Sequence, residues 1–284
     1  MAPKASNQGI KEYYDHNQIL YDLVYSQGTN GMHYGFWDKN TKSSSDAILN
    51  TNRITSKYLE IGANDTVLDA GCGVGGTSIF IAEKSGANVH GITISDVQLK
   101  KAKALASRSK NPGLLSFSNQ DFTRTGFKDG TFSKVFGIES VCHATKKISF
   151  LREAHRILKK NGRIVVADGF LARPPLTERE KTTYQKWLDG WALPHLAKKE
   201  EFYSDLKKAG FKKVRYHDML LKVRKSRDII HGLGFWGYPL SWTLFKLGII
   251  SKKMHDNTIS CICQKKVFSD ADNIATYGIF VAEK

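Results

Sequence analysis

Residues 67–77 read Val-Leu-Asp-Ala-Gly-Cys-Gly-Val-Gly-Gly-Thr. A short apolar run therefore ends in a glycine-rich turn and restarts as a helix. Gly71 and Gly73 permit a tight turn and let a ligand approach the backbone with no side chain in the way. Gly75 and Gly76 allow a helix to pack closely on the strand. The N–H groups of the first helical turn then point at whatever lies over the loop. Few folds use such a unit, and the doubly wound α/β sheet is the main one. Nucleotide oxidoreductases share the spacing, so the loop alone does not fix the ligand.

The residues after the loop repeat the alternation. Strands are predicted at 66–70, 88–94, 115–119, 134–138 and 163–169, with helices at 77–85, 95–108 and 148–159 between them. Strands alternating with helices imply a mostly parallel sheet with helices on both faces. The right-handed crossover rule then places every strand C-terminus on one edge, where ligands bind. Residues 212–220 and 276–282 read as sixth and seventh strands. Before the core, Ile10, Tyr13, Tyr14, Leu20, Leu23 and Val24 recur at helical spacing within 10–25. Residues 44–61 read as a further helix capped by Ser44 or Ser45. The chain is thus expected to be a single domain over 1–284. It comprises an N-terminal helical cap (1–60), a ligand-binding core (61–170) and lid insertions at 171–211 and 221–275.

Two carboxylates separate the ligand readings. Asp69 precedes the first glycine by two positions, where dinucleotide enzymes usually carry an apolar residue. A carboxylate there suits a cationic ligand bearing an amine and a sulfonium, although it can also serve only to orient the loop. Asp121 follows the third strand, where it can accept a hydrogen bond from an adenine amino group or simply cap a turn.

Residues 60–170 resemble the class I S-adenosylmethionine-dependent methyltransferases. A closer resemblance, over residues 12–220, is to the small-molecule branch with tocopherol, sterol and phosphoethanolamine methyltransferases and several natural-product O-methyltransferases. The glycine loop carries it, with Met32-His33-Tyr34-Gly35-Phe36-Trp37, Gly91-Ile92-Thr93-Ile94-Ser95 and Ile138-Glu139-Ser140-Val141-Cys142-His143-Ala144. The resemblance implies a Rossmann-like seven-stranded sheet of order 3-2-1-4-5-7-6 with an antiparallel last strand, and S-adenosylmethionine as cofactor. It implies cofactor contacts from Asp69, Gly71, Gly73, Gly75, Thr93, Ile94, Gln98 and Asp121. Phe122 is either a backbone contact beside Asp121 or a core residue. The chain departs from many class I enzymes at the end of the second strand, which has no acidic residue for the ribose hydroxyls. Gln98 is the replacement that the branch suggests.

Methyl transfer from an activated donor requires a positioned nucleophile and removal of a proton. His143 lies at the ligand edge with a side chain whose ordinary pKa of about 6.5 suits a general base. It can equally do no more than hydrogen-bond the cofactor or a loop carbonyl. Glu139 is expected at the cofactor's amino-acid end, with a second role in a C-methylation. Tyr14 falls where phosphoethanolamine methyltransferases carry a tyrosine that closes on the cofactor, so a Tyr14–His143 latch is expected. The alternative is a tyrosine on the apolar face of a helix. His33 and Tyr34 are expected at the methionine end.

The acceptor is expected to be small and apolar: an isoprenoid, a sterol-like lipid or a prenylated ring, methylated on carbon or oxygen. N-methylation of a polar amine or phosphobase is the alternative. Residues 234–250 are apolar and aromatic, with Lys246, Lys252 and Lys253 close by. They suit either a packed lid or contact with an anionic membrane surface, and Pro239 and Lys246 argue against a spanning helix. The formal net charge of +16 favours acidic partners. No nucleic-acid motif accompanies it, so nucleic acid is not expected as a partner. Four cysteines without metal spacing imply reduced thiols and no bound metal. Residues 1–7 hold no apolar run, which predicts no secretory leader and a cytoplasmic, or membrane-associated, location. The oligomeric state is left open.

Overall fold

The computed structural model describes residues 7–21, 28–269 and 271–284. Leu23 and Val24 lie outside the described residues. Seven strands form one sheet in the order β3-β2-β1-β4-β5-β7-β6, the order expected above. β1 (Thr66–Ala70) pairs in parallel with β2 (Asn88–Thr93) and β4 (Phe132–Ile138). β3 (Leu115–Asn119) extends one side in parallel, and β5 (Leu158–Leu171) joins β4 in the same sense. β7 (Ala275–Glu283) runs antiparallel to both β5 and β6 (Lys212–Asp218).

The central strands are apolar on both sides because both faces of the sheet are covered. Val67, Val165 and Ala167 enter one core with Leu59 of α2 (Ser44–Leu59) and Ile81 of α3 (Gly76–Ser85). Their neighbours Leu68, Ile164 and Val166 enter the other core. There they meet Phe150 of α5 (Lys147–Ile157) and Phe202 of α7 (Lys199–Lys208). Beside them, α4 (Asp96–Ala106) packs Ala102 and Ala106 on Phe117 of β3.

Several boundaries differ from expectation for identifiable reasons. Ser43, not Ser44 or Ser45, caps α2: its side chain accepts from the Asp46 N–H while the Asp46 carboxylate accepts from the Ser43 N–H. The fifth strand is longer than predicted because β7 pairs with it as far as Leu171. The sixth strand stops at Asp218, whose carboxylate accepts the Leu220 N–H where the next helix begins.

The insertions are helical. α6 (Glu178–Gly190) begins at a capping box between Thr177 and Glu180. α8 (Leu220–Lys246) and α9 (Lys252–Val267) form a hairpin between β6 and β7, with α6 packed against α9. Pro239 lies inside α8. Among the described residues, no helix is long and apolar enough to cross a membrane.

α1 (Asn7–Leu20) lies across the C-terminal edge of the sheet. It is tied down at several points. Asn7 donates to Asp121, Lys11 pairs with Asp96, Asp15 accepts from Ser95, and Tyr14 meets His143.

Candidate active site

The glycine loop sits at the C-terminal end of β1. Gly71 has φ +93°, and a Cβ there would also overlap Ser140, which donates from Oγ to the Ala70 carbonyl. The loop opens onto a cavity of about 350 Å³ beyond the ends of β1–β4, a size that suits a small organic ligand. Tyr14, His33, Asp69, Gly71, Gly73, Thr93, Ile94, Gln98, Asp121 and Phe122 line it, as do Glu139 and His143.

Two expected cofactor contacts fall elsewhere. Gly75 is at the foot of α3, where φ is +84° and a Cβ would press on Phe117 of β3. Its role is the turn and helix–strand packing, and it does not line the cavity. Tyr34 turns its ring away, against Phe268 and Tyr277, and its hydroxyl donates to Gln264 at 2.5 Å.

Asp69 is buried and accepts one hydrogen bond, from Ser78 Oγ at 2.6 Å. That bond ties β1 to α3, so the loop-orienting role is present. Burial outweighs it and pushes the carboxyl up to about 7. Asp121 accepts from Asn7 Nδ2 at 2.6 Å and from the Thr123 N–H and hydroxyl at 2.7 Å. It therefore caps its own turn and also faces the cavity. Thr93 donates to Gln98 Oε1 at 2.9 Å, a short polar link at the end of β2. Phe122 packs edge-on against Phe150 while touching the cavity.

A second cavity, of about 120 Å³, lies behind the first. Tyr14, Met32, His33, Glu139 and His143 line both cavities and so form the partition between them. The Nδ1 atom of His143 faces the Ala192 carbonyl at 3.3 Å. A carbonyl only accepts, so Nδ1 carries the proton and Nε2 accepts the Tyr14 hydroxyl at 2.8 Å. Burial pulls the imidazole down to about 4, so it is neutral at pH 7. Burial likewise raises the Tyr14 phenol well above its ordinary value. His33 faces the Tyr34 carbonyl from Nδ1 and Asn52 Oδ1 from Nε2, and burial pulls its pKa below the ordinary value.

Glu139 adopts φ +49° and lines both cavities. One carboxyl oxygen accepts from the Tyr34 N–H and the Tyr277 hydroxyl, each at 2.8 Å. Desolvation still dominates and pushes the carboxyl up to about 8.

Several residues at the site were not among the site candidates of the sequence, although Trp187 and Trp191 fall in the expected lid insertion at 171–211. Met32 completes the partition. Asp168 lines the second cavity at the end of β5, accepts from the Cys142 and Gly169 N–H groups, and is pushed up to about 6 by burial. Its signal was available: an acidic residue closes an apolar strand, as Asp69 does in β1. Trp187 and Trp191 wall the second cavity from α6 and the turn after it. Lys147 fastens the turn that carries His143, donating to the carbonyls of Cys142, Ala144 and His195.

Residues 68–166 match the family model described as a methyltransferase domain. This segment is a class I methyltransferase domain. Over 148 residues the chain is 37% identical to the 2-methyl-6-phytyl-1,4-hydroquinone methyltransferase of Synechocystis sp., covering 51% of this chain and 46% of that protein. Over 186 residues it is 33% identical to the sterol 24-C-methyltransferase ERG6 of Saccharomyces cerevisiae, covering 64% and 46%. The chain thus spans about half the length of these curated relatives. The [4+2]-cyclase SpnF superposes with a TM-score of 0.82 at 20% identity, covering 99% of this chain and 98% of that one. That likeness shows the fold alone and leaves the reaction to the site. S-adenosylmethionine is the methyl donor of this domain family. The buried carboxyls, the open glycine loop and the cavity volume fit a cationic nucleoside.

Proposed function

We propose that the chain transfers a methyl group from S-adenosylmethionine to carbon or oxygen of a small apolar acceptor held in the second cavity. The observation that carries this reading is the pair of cavities meeting at Tyr14, Met32, His33, Glu139 and His143. The partition is the one place where a donor on the glycine-loop side would face an acceptor on the other.

In this reading Asp121, Phe122 and Ile94 hold the adenine, and Thr93 and Gln98 face the ribose. Gly71 and Gly73 leave room for the amino-acid end, with Asp69, His33 and Glu139 around it. When bound, the cofactor supplies a methyl group already activated on a sulfonium. The protein orients the acceptor, excludes water and takes up a proton. His143 offers a neutral imidazole with its lone pair on Nε2 once the Tyr14 hydroxyl turns aside, but burial makes it a weaker base than the free imidazole expected from the sequence. Tyr14 holds that nitrogen in place, and Glu139 fixes the floor of the partition.

The second cavity is walled by Trp187, Trp191, Leu193, Leu196, Ile229, Ile230, Leu233 and Phe268, with no lysine or arginine among its lining residues. Such walls favour an isoprenoid, sterol-like or prenylated-ring acceptor over a phosphobase. The test is a screen with isotopically labelled methyl donor against prenylated quinols, sterols, isoprenoid alcohols and phosphoethanolamine. Label in the first three classes is expected. Label in phosphoethanolamine alone would sink the proposal.

A further inference from the structure

The hairpin of α8 and α9 is chemically lopsided. Between Asp228 and Asp256 the chain holds no acidic residue, while Lys246, Lys252 and Lys253 lie in that stretch. The same stretch carries large apolar side chains that face solvent. Trp236 is 81% exposed and Leu247 68%, with Phe235, Leu240, Trp242 and Ile249 exposed around them. Only a narrow strip of this half of α8 is covered. There Gly234 sits against Cys261, and Ser241 hydrogen-bonds His255 at 3.0 Å, so α9 packs closely. A contiguous apolar patch of this kind marks an interaction surface.

The helix also links that patch to the proposed acceptor site. One turn before the patch, Ile229, Ile230 and Leu233 of α8 line the second cavity. Residues 234–250 therefore do not pack as a lid over the cavity. The wall is made by the residues before them, and the aromatic end projects away.

We propose that the α8–α9 tip docks in the headgroup layer of an anionic lipid bilayer, so that an apolar acceptor reaches the second cavity from the lipid. The proposal rests on the apolar-acceptor reading for its purpose, but not for its observations. Trp and Tyr suit the interface between water and acyl chains, and a net positive helix end suits anionic headgroups: Lys252 pairs with Asp256 and Lys253 with Glu12, while Lys246 has no acidic partner among the described residues. The ammonium of Lys246 lies 5.8 Å from the Trp242 ring centre, which places charge and aromatic surface at one level.

The test is co-sedimentation of the full chain with vesicles. One set is phosphatidylcholine alone, and the other contains about one third phosphatidylglycerol. Binding to the mixed vesicles is expected, falling with added salt as the charged component is screened. The triple variant Trp236→Ala, Leu240→Ala, Trp242→Ala should bind the mixed vesicles at least about tenfold more weakly, since it removes most of the inserted apolar area. Its cofactor affinity should be unchanged, which shows that it is folded. Three outcomes overturn the proposal: no vesicle binding by the wild-type chain, equal binding by the variant, or self-association that the variant abolishes without vesicle binding. Turnover is not read in this experiment. Vesicle binding with no apolar acceptor found leaves docking standing and removes the acceptor reading. Methylation of an apolar acceptor in detergent without vesicle binding does the reverse.

Discussion

The Tyr14 hydroxyl lies 2.8 Å from Nε2 of His143, across 129 residues of sequence. It joins α1 to the turn after β4 and stands on the partition between the two cavities. The same bond therefore closes α1 over one cavity and occupies the imidazole lone pair that faces the other.

Tyr14→Phe separates these two effects. It removes the hydroxyl and keeps the ring, so α1 loses one of its ties over the cavity. Cofactor affinity should fall by about fivefold to tenfold, the worth of one buried hydrogen bond. His143→Ala should lower kcat by about a hundredfold if the imidazole accepts the proton, with a cofactor Kd no worse than that of Tyr14→Phe. Calorimetry and single-turnover rates read the two quantities. Intact turnover in His143→Ala would remove the base from the mechanism.

Cofactor binding should depend on pH through Glu139 and Asp69. Burial holds them at about 8 and about 7. A cationic sulfonium attracts them only when they are ionised. Affinity for S-adenosylmethionine should therefore rise as pH increases from 6 to 9. Affinity for S-adenosylhomocysteine, which lacks the sulfonium charge, should rise less. Glu139→Gln should flatten part of the difference, and equal pH profiles for the two ligands would refute the coupling.

The stability of the ligand-free chain should show the opposite side of this. A carboxyl whose folded pKa is raised stays protonated while the unfolded chain ionises, so it destabilises as pH rises from about 4 to its folded value. Glu139→Gln removes that contribution and keeps an acceptor for Tyr34 and Tyr277. The variant should melt about 3 °C or more above wild type at pH 8 and close to it at pH 4. His143 has the opposite sign. Its folded pKa of about 4 lies below the unfolded value, so its neutral burial weakens the fold as pH falls from about 6.5 to 4. A melting profile of Glu139→Gln parallel to wild type at all pH values would contradict the assignment.

Much of the fold was legible because its signals are local. Alternating apolar runs, the glycines at 71–76 and the acid before them report on neighbours a few residues away. They determined the strand–loop–helix unit, the parallel sheet and the edge that carries the ligand. The resemblance to small-molecule methyltransferases brought Tyr14, His33, Glu139 and His143 forward, and the fold gathers these four on one partition.

The rest depended on contacts between distant residues, which no local period encodes. Tyr34 faces the second cavity because Gln264, 230 residues away, takes its hydroxyl. Gly75 packs on Phe117, and the reason lies in how α3 meets β3. Asp168, Trp187 and Trp191 become site residues only once β5 and α6 are laid beside the turn that carries His143. In α8 the sequence marked an apolar, aromatic stretch at 234–250. The packing of α9 on Gly234 and Ser241 decided that Ile229 and Ile230 turn to the cavity while Trp236 and Leu247 turn to solvent, because a helix can cover only the face its neighbour reaches.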